Sequence, residues 1–193
     1  MNFLAANGRK LNRIPLGGIT NVRPLVSSRE LWRAGGWAFE EYSALKSFPT
    51  RGKQISKSGR VDIMFGLHKV EYVAEAKQCW PNLADPQRAK LVALDSLGLA
   101  LLDSSRVPYQ NIPHLGISFI TPKLHISKQA DIDKLLEQFI SQLLNIPNAS
   151  VAWIFPKLAR NLRPNNQYKN FIFPGVAVLI RTARRVRLKK LKL

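Results

Sequence analysis

Asp62, Glu75 and Lys77 are of the types, and at the spacing, that hydrolytic chemistry requires. Glu75 and Lys77 are separated by one residue. On a strand, residues two apart point to the same face, so a carboxylate and an ammonium would project side by side. Asp62 lies in the segment just before. If the two segments pair as a hairpin, Asp62 comes next to Glu75. Adjacent carboxylates repel one another unless a cation sits between them. A hard, oxygen-seeking ion such as Mg2+ or Mn2+ suits such a pair. It can lower the pKa of a bound water and polarise a phosphate oxygen. Lys77 could orient the attacking water or stabilise charge on a pentavalent phosphate. A Glu-x-Lys triplet alone is common and usually reads as a solvated face. Its weight here comes from the preceding Asp and from the charge of the chain.

The chain has 193 residues, with 30 Lys and Arg against 12 Asp and Glu, a net charge of +18. A neutral substrate does not require this excess. Polyanions do, with nucleic acid ahead of an anionic membrane surface. The cations cluster. Arg51, Lys53, Lys57 and Arg60 lead into Asp62, and Arg184, Arg185, Arg187, Lys189 and Lys190 belong to an acid-free C-terminal run. Both groups are candidate nucleic-acid contacts, DNA before RNA. The hydrophobic fraction of 46% supplies a core, and the length suits one domain with a tail. A single cysteine, Cys79, excludes an intrachain disulfide and a Cys-based zinc site. Met1 to Lys10 lacks the apolar core of a signal peptide. The longest apolar run, Val176 to Ile180, is far short of the roughly 20 residues that span a bilayer. These features predict a cytoplasmic protein without a membrane partner. His68, His114 and His125 show no metal-ligand spacing. Trp80, Trp153 and Tyr168 could stack on bases, although core packing is the commoner use.

Several elements must position these residues. Residues 1–27 read as an irregular basic arm, punctuated by glycine and proline. A helix is predicted from Ser27-Ser28 to Pro49, with Leu31, Ala38, Tyr42 and Leu45 as its buried stripe. Thr50 to Gly59 reads as an exposed loop. Arg60 to Phe65 alternates as a strand, with Val61, Ile63 and Phe65 on one face. Gly66 to Lys69 is a turn, and Val70 to Cys79 is a second strand. Asp85-Pro86 starts a helix running to about Asp103, with Leu91, Leu94, Leu97 and Leu101 as its apolar side. A strand over His114–Thr121, a helix over Ala130–Leu144, a strand over Val151–Phe155 and a strand over Phe171–Thr182 follow. This order predicts an α/β domain over 28–182 with a mixed central sheet flanked by helices, and a basic tail over 183–193.

The stretch Gly59-Arg-Val-Asp62-Ile-Met-Phe, followed by Glu71-Tyr-Val-Ala-Glu75-Ala-Lys77-Gln78, resembles the core of the PD-(D/E)xK nuclease superfamily. The resemblance covers roughly residues 28–122. It implies a restriction-endonuclease-like fold, built as helix, three-stranded meander, helix and strand. It also implies a Mg2+-dependent endonuclease acting on DNA, with Asp62 and Glu75 on the metal and Lys77 catalytic. Members often carry a further metal-linked Glu on the first helix, which here would be Glu40 or Glu41. Homodimers are common in the superfamily, since two sites can cut both strands. Val61 stands where the family's eponymous proline would be. The third strand of the meander is either a strand before Asp62 or the Leu115–Thr121 segment. Inactive members that only bind DNA exist, so a silent binding or assembly module is the alternative. A basic RNA-binding protein is a further one.

Overall fold

The computed structural model describes residues 3–5, 10–11, 33–50, 53–109, 111–161 and 168–183. Along the chain come strands β1 (Phe3–Ala5), β2 (Lys10–Leu11), β3 (Trp37–Thr50), β4 (Lys53–Leu67) and β5 (Val70–Cys79). Helix α1 (Pro86–Ser105) and strands β6 (His114–Ile120) and β7 (Leu124–His125) follow, then helix α2 (Ile132–Leu144). Strands β8 (Ala149–Ile154), β9 (Phe171–Ile172) and β10 (Val176–Thr182) complete the order. Eight strands form one mixed sheet in the order β2-β1-β8-β10-β6-β5-β4-β3. Within it β5 and β6 run parallel, and the other neighbours are antiparallel.

Helix α1 supplies the crossover that a parallel β5–β6 pair requires. Asp85 caps it, its carboxylate accepting from the Arg88 N–H at 3.0 Å, and Pro86 occupies the first turn. Its buried face consists of small residues: Ala89, Ala93, Ser96, Ala100 and Ser104, with Leu97. Small side chains let the helix settle close to the sheet. A Cβ at Gly116 would stand 2.6 Å from Leu101 Cγ, so this glycine is needed where α1 approaches β6. Leu91, expected on the apolar side, is 52% exposed. Leucine spacing misjudges this helix because alanines, not leucines, make the close contact.

The main core lies on the helical face, where Leu97, Ile120, Phe139, Leu143, Val151 and Leu179 are buried together. Ile63, Ala74, Leu115 and Ile117 are buried as a separate cluster, with Phe65, Tyr72, Val178 and Ile180 packed against it. Residues 177 to 180 thus alternate between the clusters, as strand geometry requires.

The structure corrects several expectations. From Trp37 on, the expected helix is replaced by β3, which pairs with β4 from Trp37↔Gly66 to Thr50↔Lys53, while its start over 27–32, with Leu31, lies outside the described residues. Tyr42, Ala44 and Lys46 are half-buried while Glu41, Ser43 and Leu45 are exposed, which is a period of two. Aromatic residues favour strands, and Pro49 is tolerated because β3 is an edge strand. The loop expected over 50–59 is largely the second half of this hairpin. The long strand expected at 171–182 is two strands in different sheets, interrupted at Pro174-Gly175. Part of the segment read as an irregular arm is strand: β1 lies beside β8 and β2 beside β1. Among the described residues, no helix is long and apolar enough to cross a membrane.

Candidate active site

The ladder between β4 and β5 runs only from Leu67↔Val70 to Ile63↔Ala74. Beyond it the backbone pairing stops, and the Asp62 carboxylate accepts the Ala76 N–H at 2.7 Å. A side chain thus takes a hydrogen bond that the strand's neighbour would otherwise supply. On β3, opposite this point, Glu41 has φ +52. The left-handed residue interrupts the pleat. Val61 accordingly packs with Val73, Met64 and Val107 rather than with Ile63 and Phe65, as strict alternation predicted.

Along β5, Tyr72, Ala74 and Ala76 belong to one face, and Glu75 and Lys77 meet groups on the other. Glu75 is 2% exposed. Its Oε1 receives Lys46 Nζ at 2.6 Å, from β3. The Lys46 stem passes Gly59, where a Cβ would stand 3.1 Å from Lys46 Cδ. Burial pushes the Glu75 carboxyl above its ordinary value, opposed by the Lys46 hydrogen bond and reinforced by the charge of Asp62. Lys77 Nζ meets Asp103 Oδ2 at 2.7 Å, near the end of α1. Partial burial works against the Lys77 ammonium, but Asp103, helped by Asp62 and Glu75, outweighs it and holds the pKa above the ordinary lysine value. Lys77 is therefore a fixed cation at neutral pH rather than a base.

Asp103 also accepts from Arg106 at 2.7 Å. The Arg106 guanidinium lies 4.8 Å from the Phe48 ring centroid, and its carbonyl accepts the Ser47 N–H at 2.8 Å. The end of α1 is thereby tied to β3. His114 sits between the carbonyl oxygens of Ser104 and Tyr109, with Nε2 at 2.9 Å from the latter, and braces the same turn. The Tyr42 hydroxyl is buried without a hydrogen-bond partner among the described residues. Burial first, then Tyr109 and Glu75, push its phenol well above the ordinary value, so it remains a donor.

Asp62, Glu75 and Lys77 therefore come together as their spacing predicts. Glu40 and Glu41 do not join them. Both lie exposed on β3 rather than on a helix, and Glu41 pairs with the exposed Arg60. Lys57 is exposed too. Lys53 opens β4. Arg51, Arg184, Arg185, Arg187, Lys189 and Lys190 lie outside the described residues. Lys46, Asp103 and Tyr42 escaped the sequence reading. Asp103 could have been found as an acid near the end of the crossover helix. Lys46 and Tyr42 were assigned to a helix, which hid their facing.

The donor set permits a metal of one kind. Among the described residues, no cluster of three or more His, Cys, Asp or Glu could hold an ion. Two carboxylates remain, one of them buried. Mg2+ typically takes one or two carboxylates and completes its octahedron with waters and substrate phosphates. Asp62 and Glu75 fit that pattern, and do not fit a metal needing a full protein cage.

The sequence matches no protein-family model, no curated protein and no solved structure.

Proposed function

We propose that the protein is a metal-dependent nuclease with a restriction-endonuclease-like core, hydrolysing phosphodiester bonds in DNA at Asp62, Glu75 and Lys77. The observation that carries the reading is the meeting of Asp62 and the buried Glu75 where β4 and β5 part, with Lys77 on the same face as Glu75. The order of elements supports it: meander β3-β4-β5, crossover α1, then β6 parallel to β5. The net charge of +18 supports a polyanionic substrate.

Asp62 and Glu75 would hold Mg2+ or Mn2+. Bound there, the ion would lower the pKa of a coordinated water and polarise a phosphoryl oxygen. Lys77, kept charged by Asp103, offers a fixed positive charge to the phosphate as negative charge develops on it. Lys46 compensates Glu75 before the ion arrives, so the two cations compete for one carboxylate. That ion pair also favours a second reading, a catalytically silent DNA-binding module in which Lys46 permanently replaces the metal.

Supercoiled plasmid incubated with the protein in Mg2+, Mn2+ or EDTA separates the readings. The nuclease reading expects metal-dependent nicking, abolished in Glu75→Gln and reduced about 10²- to 10³-fold in Lys77→Ala. Tight DNA binding with no cleavage under any metal would sink it in favour of the silent module.

A further inference from the structure

We propose that the small sheet β7–β9, with the 3-10 helices that border it, is a second nucleic-acid surface, which grips a single-stranded segment of DNA outside the cleavage site. The choice of DNA rests on the nuclease reading. The surface and its preference for an unpaired strand do not.

The unit is built from short pieces. Leu124 pairs with Ile172 and His125 with Phe171, and the Ile126 N–H donates to the Asn170 carbonyl at 2.9 Å. A 3-10 helix over Ile126–Asp131 packs against both strands, and another over Lys157–Asn161 packs against β9. Leu124 and Ile172 are buried in the main core and fix the unit to the domain. What it presents to solvent is basic and aromatic. Lys128, Lys157 and Lys169 are exposed, as are His125 and Tyr168. Lys123 is half-buried, its Nζ 5.3 Å from the centroid of the Phe171 ring. His125 and Phe171 meet edge to face at 5.7 Å, and Tyr168 and Phe173 at 6.0 Å, so the rings have fixed settings.

The charge is one-sided. The chain holds no acid from Ser104 to Ala130 and none after Glu137, and apart from Asp131 the unit is drawn from these two stretches. Asp133, nearby in sequence, is already paired with Arg160. Among the described residues, no acid pairs with Lys123, Lys128, Lys157 or Lys169. Uncompensated cations on one small unit attract a polyanion.

The rings select the kind of polyanion. A duplex keeps its base faces stacked inside, whereas the bases of a single strand can stack on aromatic side chains while cations follow the backbone. Tyr168, 41% exposed, offers such a ring between these lysines in the chain. The Lys123 N–H donates to the Pro81 carbonyl, and its own carbonyl accepts the Leu83 N–H. The unit is thereby tied to the loop that leaves β5. From Glu75 to Cys79 that strand advances about 13 Å, so the surface is anchored beside the site rather than in it.

Binding measured in EDTA by fluorescence anisotropy over a salt series is independent of cleavage, and plasmid nicking in Mg2+ tests the nuclease reading separately. The ligands are a labelled DNA single strand, the duplex made from it and an RNA strand of the same sequence. The variants are Tyr168→Ala and the pair Lys157→Ala with Lys169→Ala, all at exposed positions, with circular dichroism to check the fold. The wild type is expected to bind the DNA single strand more tightly than the duplex, and at least as tightly as the RNA strand. Tyr168→Ala should lose about tenfold in affinity for the single strand. The lysine pair should flatten the log–log salt slope by roughly 1.4. Equal or tighter binding of the duplex, tighter binding of the RNA strand, or unchanged affinity and slope in the folded variants would overturn the proposal.

Discussion

Two polar places are buried between α1 and the sheet, and they are polar in different ways. Midway along α1, Ser118 donates to Ser96 at 2.8 Å, and the Cys79 thiol lies 3.9 Å from Ser118. Every member is neutral, and burial, partly offset by the two serines, raises the Cys79 pKa and keeps the thiol protonated. Near the C-terminal end of α1 the buried Glu75 pairs with Lys46, and the partly exposed Lys77 pairs with Asp103. A neutral network can be satisfied completely by its own members and serves packing. Buried charges carry a desolvation cost that ion pairing offsets only partly. Among the described residues the fully buried acid, Glu75, stands where β4 and β5 part, and this distinguishes the candidate site from the neutral serine network.

The comparison can be tested by perturbing each place. The largest change in stability is expected from Lys46→Met, which leaves Glu75 buried without its partner and should cost about 3 kcal/mol in urea denaturation under chelation. Combining it with Glu75→Leu should recover most of that loss. If the single variant is as stable as the wild type, the charged end is not held by this pair. Ser118→Ala should cost about 2 kcal/mol by the same measurement, because it breaks the buried hydroxyl contact. Metal-dependent cleavage by the folded variant should be unaffected, and a large loss of activity would make the neutral network part of the site.

The smallest effect concerns pH. The folded Glu75 carboxyl has a pKa above its ordinary 4.5, so above that pH the native state binds more protons than the unfolded chain. Its contribution to stability therefore falls as pH rises through the window between 4.5 and the raised value. The slope is at most one proton's worth, about 1.4 kcal/mol per pH unit. Melting temperatures across weakly acidic pH should show this fall in the wild type and in Ser118→Ala, and a flatter profile in Glu75→Gln. An identical profile in all three would show that the charged end does not titrate in this range.

Local sequence signals were sufficient for much of the frame. Asp85-Pro86 announces α1 because cap and first-turn chemistry are local. The alternation of Val70–Cys79 places Glu75 and Lys77 on one side because strand geometry has a period of two. The register of β4 with β5 follows from a tight turn in which His68 and Lys69 take positive φ. The net charge of +18 is legible from composition alone, since it needs no fold.

Tertiary structure decided the rest. Residues 37–50 have spacings compatible with a helix, and only pairing with β4 makes them a strand. That pairing removes Glu40 and Glu41 from the site and brings in Lys46, which reaches Glu75 from 29 residues away. Asp103 reaches Lys77 only because α1 folds back across β5, and Gly116 permits its close approach. The separation of β4 from β5 at Asp62, which opens the site, depends on three strands meeting there. A strand's facing is a property of a few consecutive residues. The partner of a buried charge is a property of the packed chain, because it is chosen by distance in space and by exclusion of water, neither of which local sequence encodes.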